Sequence, residues 1–165
     1  METRFDTNLY EKIGEHEFLR FINTTPTAVS PTWALISAVE EDGAGIEFNP
    51  EVERIKLIVN KGAISNHKSN DKQLSATYLA YKNDPCFEFA NAGRDKLNYK
   101  TQLLEVDLWD ETSGNYAAKL NNATLTVNTY NGNTIEFNVY ADGDPTEGTA
   151  TVTGNTPVFT PNASL

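Results

Sequence analysis

Apolar and polar side chains alternate with a period of two residues in several segments of the last third of the chain. Leu104, Val106 and Leu108 alternate with acidic residues, and residues 123–127 and 135–139 alternate in the same way. Because successive side chains of a β-strand point to opposite faces, each segment predicts a strand with one buried and one solvated face. Together they predict antiparallel strands in a mainly β domain, either a sandwich or a barrel.

The connection between the last two of these strands also predicts their register. A two-residue loop would place Val127 opposite a polar residue and mix the two faces of the sheet. A three-residue loop at 131–133 places Val127 opposite Phe137 and Leu125 opposite Val139, so that apolar residues face each other. We therefore expect a hairpin with the three-residue loop.

Shorter patterns outline the rest of the domain. Apolar or alternating runs predict further strands, and clusters of Gly, Pro, Asn and Asp predict the turns between them. The predicted strands cover residues 18–22, 33–39, 54–59, 74–81, 149–153 and 158–160. The predicted turns cover residues 40–45, 49–50 and 142–145.

One flanking helix is predicted after residue 84. Asp84 is a favourable N-cap, and proline at the next position suits the first turn of a helix. Cys86, Phe89, Ala90 and Gly93 follow with helical spacing, so they form one apolar stripe that faces the sheet. Glycine weakens a helix, and a short one is expected.

Residues 61–73 are almost devoid of apolar side chains and rich in lysine. Such a segment is typical of a long mobile loop or the tip of a hairpin. Unstructured segments of this length are uncommon in compact domains and are often functional.

The charge distribution argues against ordinary nucleic-acid binding. The net charge is −10, and from residue 101 onward Lys119 is the one basic residue against eight acidic ones. A surface of this kind repels a phosphate backbone at close range. No run of 18 apolar residues is present, the single cysteine cannot form an internal disulfide, and no secretory signal is visible, so we expect synthesis in the cytoplasm.

No group of residues predicts an enzyme, a metal site or a cofactor. His16 and His67 lie in polar segments without ligand partners at a suitable spacing, and Cys86 is expected to be buried and inert. Asp142 and Asp144 superficially suggest calcium, but the further ligand positions of such a loop are absent. A tight turn is the preferred interpretation of that segment.

The order of several short motifs carries more information than any one of them. They lie at residues 18–21, 32–36, 48–51, 81–85, 101–106, 142–149 and 158–160. In this order and spacing the chain resembles the major tail protein, or tail tube protein, of long-tailed bacteriophages that infect Gram-positive bacteria. The resemblance covers residues 18–161, preceded by an N-terminal arm at 1–17 and followed by a tail at 162–165.

The resemblance implies an antiparallel β-sandwich with one flanking helix, whose copies form hexameric rings that stack into a hollow tube. Viral DNA passes through such a tube without specific binding, and other tail proteins (tape measure, terminator and distal tail) are partners. The chain would be a structural component of the virion, assembled in the host cytoplasm and without a membrane partner. A terminator or neck ring of the same fold, or a carbohydrate-binding or adhesin module, are the alternatives.

Two groups of residues acquire a role in this scheme. Carboxylates on the solvated side of the late strands could line the channel or face outward; they are Glu105, Asp107 and Glu136. The basic segment could bind the acidic surface of the next ring or remain a solvated loop; its residues are Lys61, His67, Lys68, Asp71 and Lys72.

Overall fold

The computed structural model describes residues 10–59 and 61–163. Strands make up 61% of the structure and are accompanied by one short helix, so the predicted mainly β, antiparallel class is confirmed. The strands are β1 (Phe18–Asn23), β2 (Trp33–Leu35), β3 (Val39–Glu47), β4 (Pro50–Ile55), β5 (Ile64–Asn70), β6 (Gln73–Leu79), β7 (Tyr99–Thr112), β8 (Asn115–Tyr130), β9 (Thr134–Thr153) and β10 (Thr156–Pro161). The helix, α1, is Pro85–Ala92, and a single 3-10 turn is Glu15–Glu17.

One large antiparallel sheet forms the body of the protein. Its strand order is β2-β1-β7-β8-β9-β6-β3, with β10 paired to the second half of β9, and it curls into a half-barrel. Strands β4 and β5 pair only with each other and form a separate hairpin. The segment 61–73 is therefore not an unstructured loop, because most of it is the second strand of this hairpin.

The large sheet carries two hydrophobic cores on its opposite faces. Leu103 belongs to the first core, with Leu125, Phe137 and helix α1, whereas its neighbour Leu104 belongs to the second core. The second core lies toward the β10 end of the long strands and includes Phe159. Adjacent residues of a strand point to opposite faces, so β7, β8 and β9 serve both cores by being long enough to span them.

The predicted hairpin register is confirmed, although the turn differs. Val127 pairs with Phe137, and the neighbouring apolar pair also forms as predicted. At the turn, however, Tyr130 pairs with Ile135, a register one residue out of phase. A bulge between Val127 and Thr129 absorbs the extra residue and restores the apolar pairing.

The predicted helix is confirmed at its N-terminus. The Asp84 side chain accepts a hydrogen bond of 3.1 Å from the backbone N–H of Cys86, and Pro85 occupies the first helical position. Gly93 caps the C-terminus instead of continuing the stripe. A Cβ at that position would collide with the ring of Tyr99, so the close approach requires glycine.

Several local predictions were wrong, and two predicted turns failed for the same reason. The predicted turns at 40–45 and 142–145 lie inside β3 and β9, where bulges at residues of positive φ, such as Gly143, bend the strand without ending it. The predicted strand 33–39 is divided between β2 and β3, and the one at 54–59 ends at Ile55. The predicted arm at 1–17 and tail at 162–165 lie partly outside the described residues.

Candidate functional site: a polar sheet face and a projecting hairpin

A continuous row of polar side chains crosses five strands on one face of the large sheet. One residue on each of β7, β8, β9, β6 and β3 is the direct partner of the next, so these five residues are aligned across the sheet. Directly paired residues point to the same face. The row consists of Lys100, Thr124, Tyr140, Gln73 and Glu47. Strands are about 4.8 Å apart, so these five span about 19 Å.

Neighbouring rows extend this surface, which we call the polar face. Thr126, Asn138 and Ser75 pair in register above the first row, and Gln102, Asn122 and Asp142 pair below it. Short hydrogen bonds connect the side chains, among them Lys100 Nζ to Thr124 Oγ1 at 3.0 Å and Gln102 Nε2 to Asn122 Oδ1 at 2.9 Å. The amide, hydroxyl and phenol groups thus form a continuous surface that is hydrophilic and carries few charges.

The charges on the polar face are sparse and mostly negative. Glu47, Glu136 and Asp142 are exposed carboxylates on this face, and Lys100 is the cation that register places among them. A phosphate backbone close to such a surface would meet weak repulsion and few donors of positive charge. A polyanion could therefore touch this surface without binding to it tightly.

Of the three predicted channel carboxylates, only Glu136 lies on the polar face. Glu105 and Asp107 lie on the opposite side, at positions of β7 that pair with Lys119 and Ala117. The cause is the presence of two cores, since the polar residues between Leu104 and Leu108 face the other way from those between Ile135 and Val139. The sequence prediction assumed a single buried face.

Glu105 is also not exposed to solvent, contrary to its predicted position. Its side chain is buried and forms an ion pair with the ammonium of Lys72, which is equally buried. Lys72 Nζ donates a second hydrogen bond of 2.9 Å to Asn121 Oδ1. Lys72 therefore does not belong to a mobile basic loop, as predicted, but anchors the chain beside β7 and β8.

Asp107 occupies an intermediate environment. It is half-buried, and burial raises the pKa of its carboxyl group, with the neighbouring charge of Asp110 acting in the same direction. Lys119 and the side chain of Trp109 lower the pKa in part. The group is thus poorly solvated for a carboxylate, and it does not form part of an open acidic surface.

The β4–β5 hairpin projects from the sheet and is exposed along both strands. Residues 54–68 carry four cations and no carboxylate, whereas the rest of the chain has a net charge of −14. Near its tip, Ile58 is fully exposed and Val59 is 84% exposed. Leu57, directly before them, is also exposed, and contiguous exposed apolar side chains mark candidate contact surfaces.

The remaining predicted hairpin residues lie on its surface. Lys61, Lys68 and Asp71 are exposed, and Lys68 Nζ lies 3.2 Å from the carboxylate of Glu53 on the paired strand. The exposed ring of His67 lies 2.6 Å from Asn70 Oδ1. These two interactions stabilise the hairpin locally.

Groups with possible chemical reactivity are dispersed or buried. Burial raises the pKa of the Cys86 thiol, and Tyr78 donates a 2.7 Å hydrogen bond to Asp84 within the helix N-terminus. Among the residues that the structure describes, no three His, Cys, Asp or Glu side chains cluster in a way that could hold a metal ion. Within the same residues, no helix has the length and apolar character that crossing a bilayer requires.

Sequence reasoning missed most of the polar face. Gln73, Ser75 and Thr77 alternate with Leu74 and the residues that follow it, and this pattern could have identified them. Glu47 and Asp142 were hidden because their segments resemble turns.

No family model matches the chain, and no curated protein is significantly similar to it.

Proposed function

We propose that this protein is a structural subunit that assembles into rings and stacks them into a tube, as the tail tube proteins of long-tailed bacteriophages do. In such a tube, DNA moves along the polar face on its way into the host. The observation that supports this proposal best is the polar face itself. It is wide, continuous and hydrophilic, yet it offers a phosphate backbone little to bind.

The open shape of the sheet gives a second reason to expect assembly. The path of the half-barrel ends at β2 and β3, and β10 forms a further edge beside β9 in the described structure. The backbone groups along a free edge are available for pairing. Copies placed side by side would bring edge next to edge and continue the curvature. A ring built in this way would place the polar faces of all its copies on the same side.

The hairpin offers a second kind of contact, between different surfaces of two copies. Its cations complement the acidic remainder of the next copy, and its aliphatic tip adds an apolar contact. Such head-to-tail contacts propagate, so they can stack one ring on the next.

The first test is negative-stain microscopy of the purified protein at increasing concentration. The proposal requires rods of many rings; single rings would indicate a terminator, and only monomers would refute the proposal.

A charge change on the polar face tests its role in DNA passage. Glu136→Lys replaces a carboxylate on that face with a cation, so the wall would attract phosphates. We expect rods to assemble normally and DNA ejection to become slower. Lys82→Glu, an exposed change in the loop before α1, is the control. Ejection at the normal rate through Glu136→Lys tubes would contradict the assignment of this face to the channel.

A further inference from the structure

The place where the β4–β5 hairpin joins the large sheet is held by more contacts than a flexible connection needs. The two chain segments that meet there are Phe48-Asn49, which enters the hairpin, and Asp71-Lys72, which leaves it. The Asn49 side-chain amide donates a 3.0 Å hydrogen bond to the carbonyl of Asp71. The backbone N–H of Asp71 lies 3.4 Å from the carbonyl of Asn49. These two hydrogen bonds hold the segments together, and we call the four residues 48, 49, 71 and 72 the root of the hairpin.

Lys72 then fixes this root to three strands of the large sheet. Its ammonium contacts Glu105 on β7 and Asn121 on β8. Its backbone carbonyl accepts a 3.0 Å hydrogen bond from Ala141 on β9. The ring of Phe48 lies 5.8 Å from the ammonium, within the range of a cation–π interaction. We call this group of contacts the Lys72 socket.

The strands of the hairpin, in contrast, pair only with each other, and every residue of β4 and β5 is exposed. At the end of β5, residues 67–70 border an open cleft shared with Lys119 and Asp144 of the large sheet. No strand pairing holds the hairpin against the sheet, so its direction depends on the contacts where it joins the sheet. A two-stranded hairpin held at one end by a surface loop would sample many directions, whereas one held by a buried ion pair cannot swing without breaking that pair.

We infer that Lys72 is a positioning residue: through the socket it holds the β4–β5 hairpin in one direction, ready to bind a second copy of the chain. This inference rests on the proposed function in that the hairpin is taken as the contact between copies. Pre-orientation lowers the ordering cost of association. If only about a tenth of the hairpins pointed in the binding direction, the apparent dissociation constant would rise about tenfold.

The test uses double electron–electron resonance to measure the distance between a label on the hairpin and a label on the large sheet of the same subunit. Nitroxide labels are placed on the full-length chain at Ser65→Cys in the hairpin and Thr126→Cys on the polar face. Cys86 is buried and escapes labelling. With the socket intact, we expect one narrow distance distribution. In Lys72→Met/Glu105→Leu, which removes both charges together, we expect that narrow peak to be lost.

Two further variants separate positioning from general loss of stability. Val139→Ala weakens the first core without touching the socket and should retain the narrow peak. Phe48→Ala removes the ring that lies over the Lys72 ammonium, which is one contact of the socket, at a residue that is exposed, so it should broaden the distribution in a fully folded protein. This single variant also decides the question if the double variant does not fold. A narrow peak in Phe48→Ala, and in the double variant where that folds, would overturn the inference.

A failure of the socket hypothesis can be told apart from a failure of the proposed tube assembly. The distance lies within one subunit, so broadening supports the Lys72 socket even if the wild-type chain never forms rods. Where rods form, the socket variants should need about tenfold more protein to assemble, by the same population argument. Rods that assemble at the wild-type concentration from a subunit with a broad distribution would refute the role of the socket in assembly.

Discussion

Replacing Lys72 by methionine should be among the most destabilising single changes outside the apolar cores. The Lys72 and Glu105 side chains are only 8% and 9% exposed, so the substitution leaves a carboxylate buried without its partner. Removing one member of a buried ion pair costs about 3–5 kcal/mol. Arg20 on β1 and Lys119 on β8 are the register neighbours of Glu105 and share its face of the sheet, so we expect their charges to offset part of the loss. We therefore expect about 3 kcal/mol.

The assay is urea denaturation followed by tryptophan fluorescence, with Glu105→Leu and the double variant measured alongside. Buried pairs replaced together by apolar residues are often neutral, so the double variant should be more stable than either single variant. The slope of the transition should stay constant, because the change in exposed area on unfolding is nearly the same. A loss below about 1 kcal/mol for Lys72→Met, or a double variant as unstable as the sum of the two, would refute this account of the pair.

Two further substitutions and one labelling experiment test other parts of the structure. Gly148→Ala places a Cβ against the carbonyl of Thr160 on β10, so equilibrium denaturation should show a loss of about 1–3 kcal/mol; unchanged stability would mean that β10 shifts freely. Burial raises the pKa of Asp107, so its ionisation costs stability as pH rises above about 4, and Asp107→Asn should flatten that part of the stability profile; an identical profile would contradict the shift. Cys86 should react with a thiol reagent only at the rate of unfolding, and fast labelling of the native chain would contradict its burial.

The helix and the late strands could be predicted from sequence because their signals are local. The Asp84 cap with the following proline identifies a helix start within a few residues. The alternation around Phe137 fixes both strand and register, since a shift by one residue would expose every apolar side chain. A local pattern that is compatible with only one low-energy structure is sufficient to predict that structure.

The site was harder to predict because its geometry depends on long-range pairing. Lys72 and Glu105 are 33 residues apart, and nothing near either one indicates a buried partner. Gly143 and its acidic neighbours have the composition of a turn, yet tertiary pairing on both sides keeps β9 continuous through a bulge. The two cores on opposite faces then reverse which polar residues point to which side, as the separation of Glu105 from Glu136 demonstrates.

If the polar face lines an enclosed channel, cysteine labelling of assembled rods will distinguish it from the outer surface. Thr126→Cys lies on the polar face, and Glu88→Cys is an exposed control on α1, which packs on the opposite face of the sheet. In rods, we predict that a small maleimide reacts at both positions and that a polymer-linked maleimide reacts only at Glu88→Cys. Reaction of the bulky reagent at Thr126→Cys as fast as at Glu88→Cys would contradict the claim.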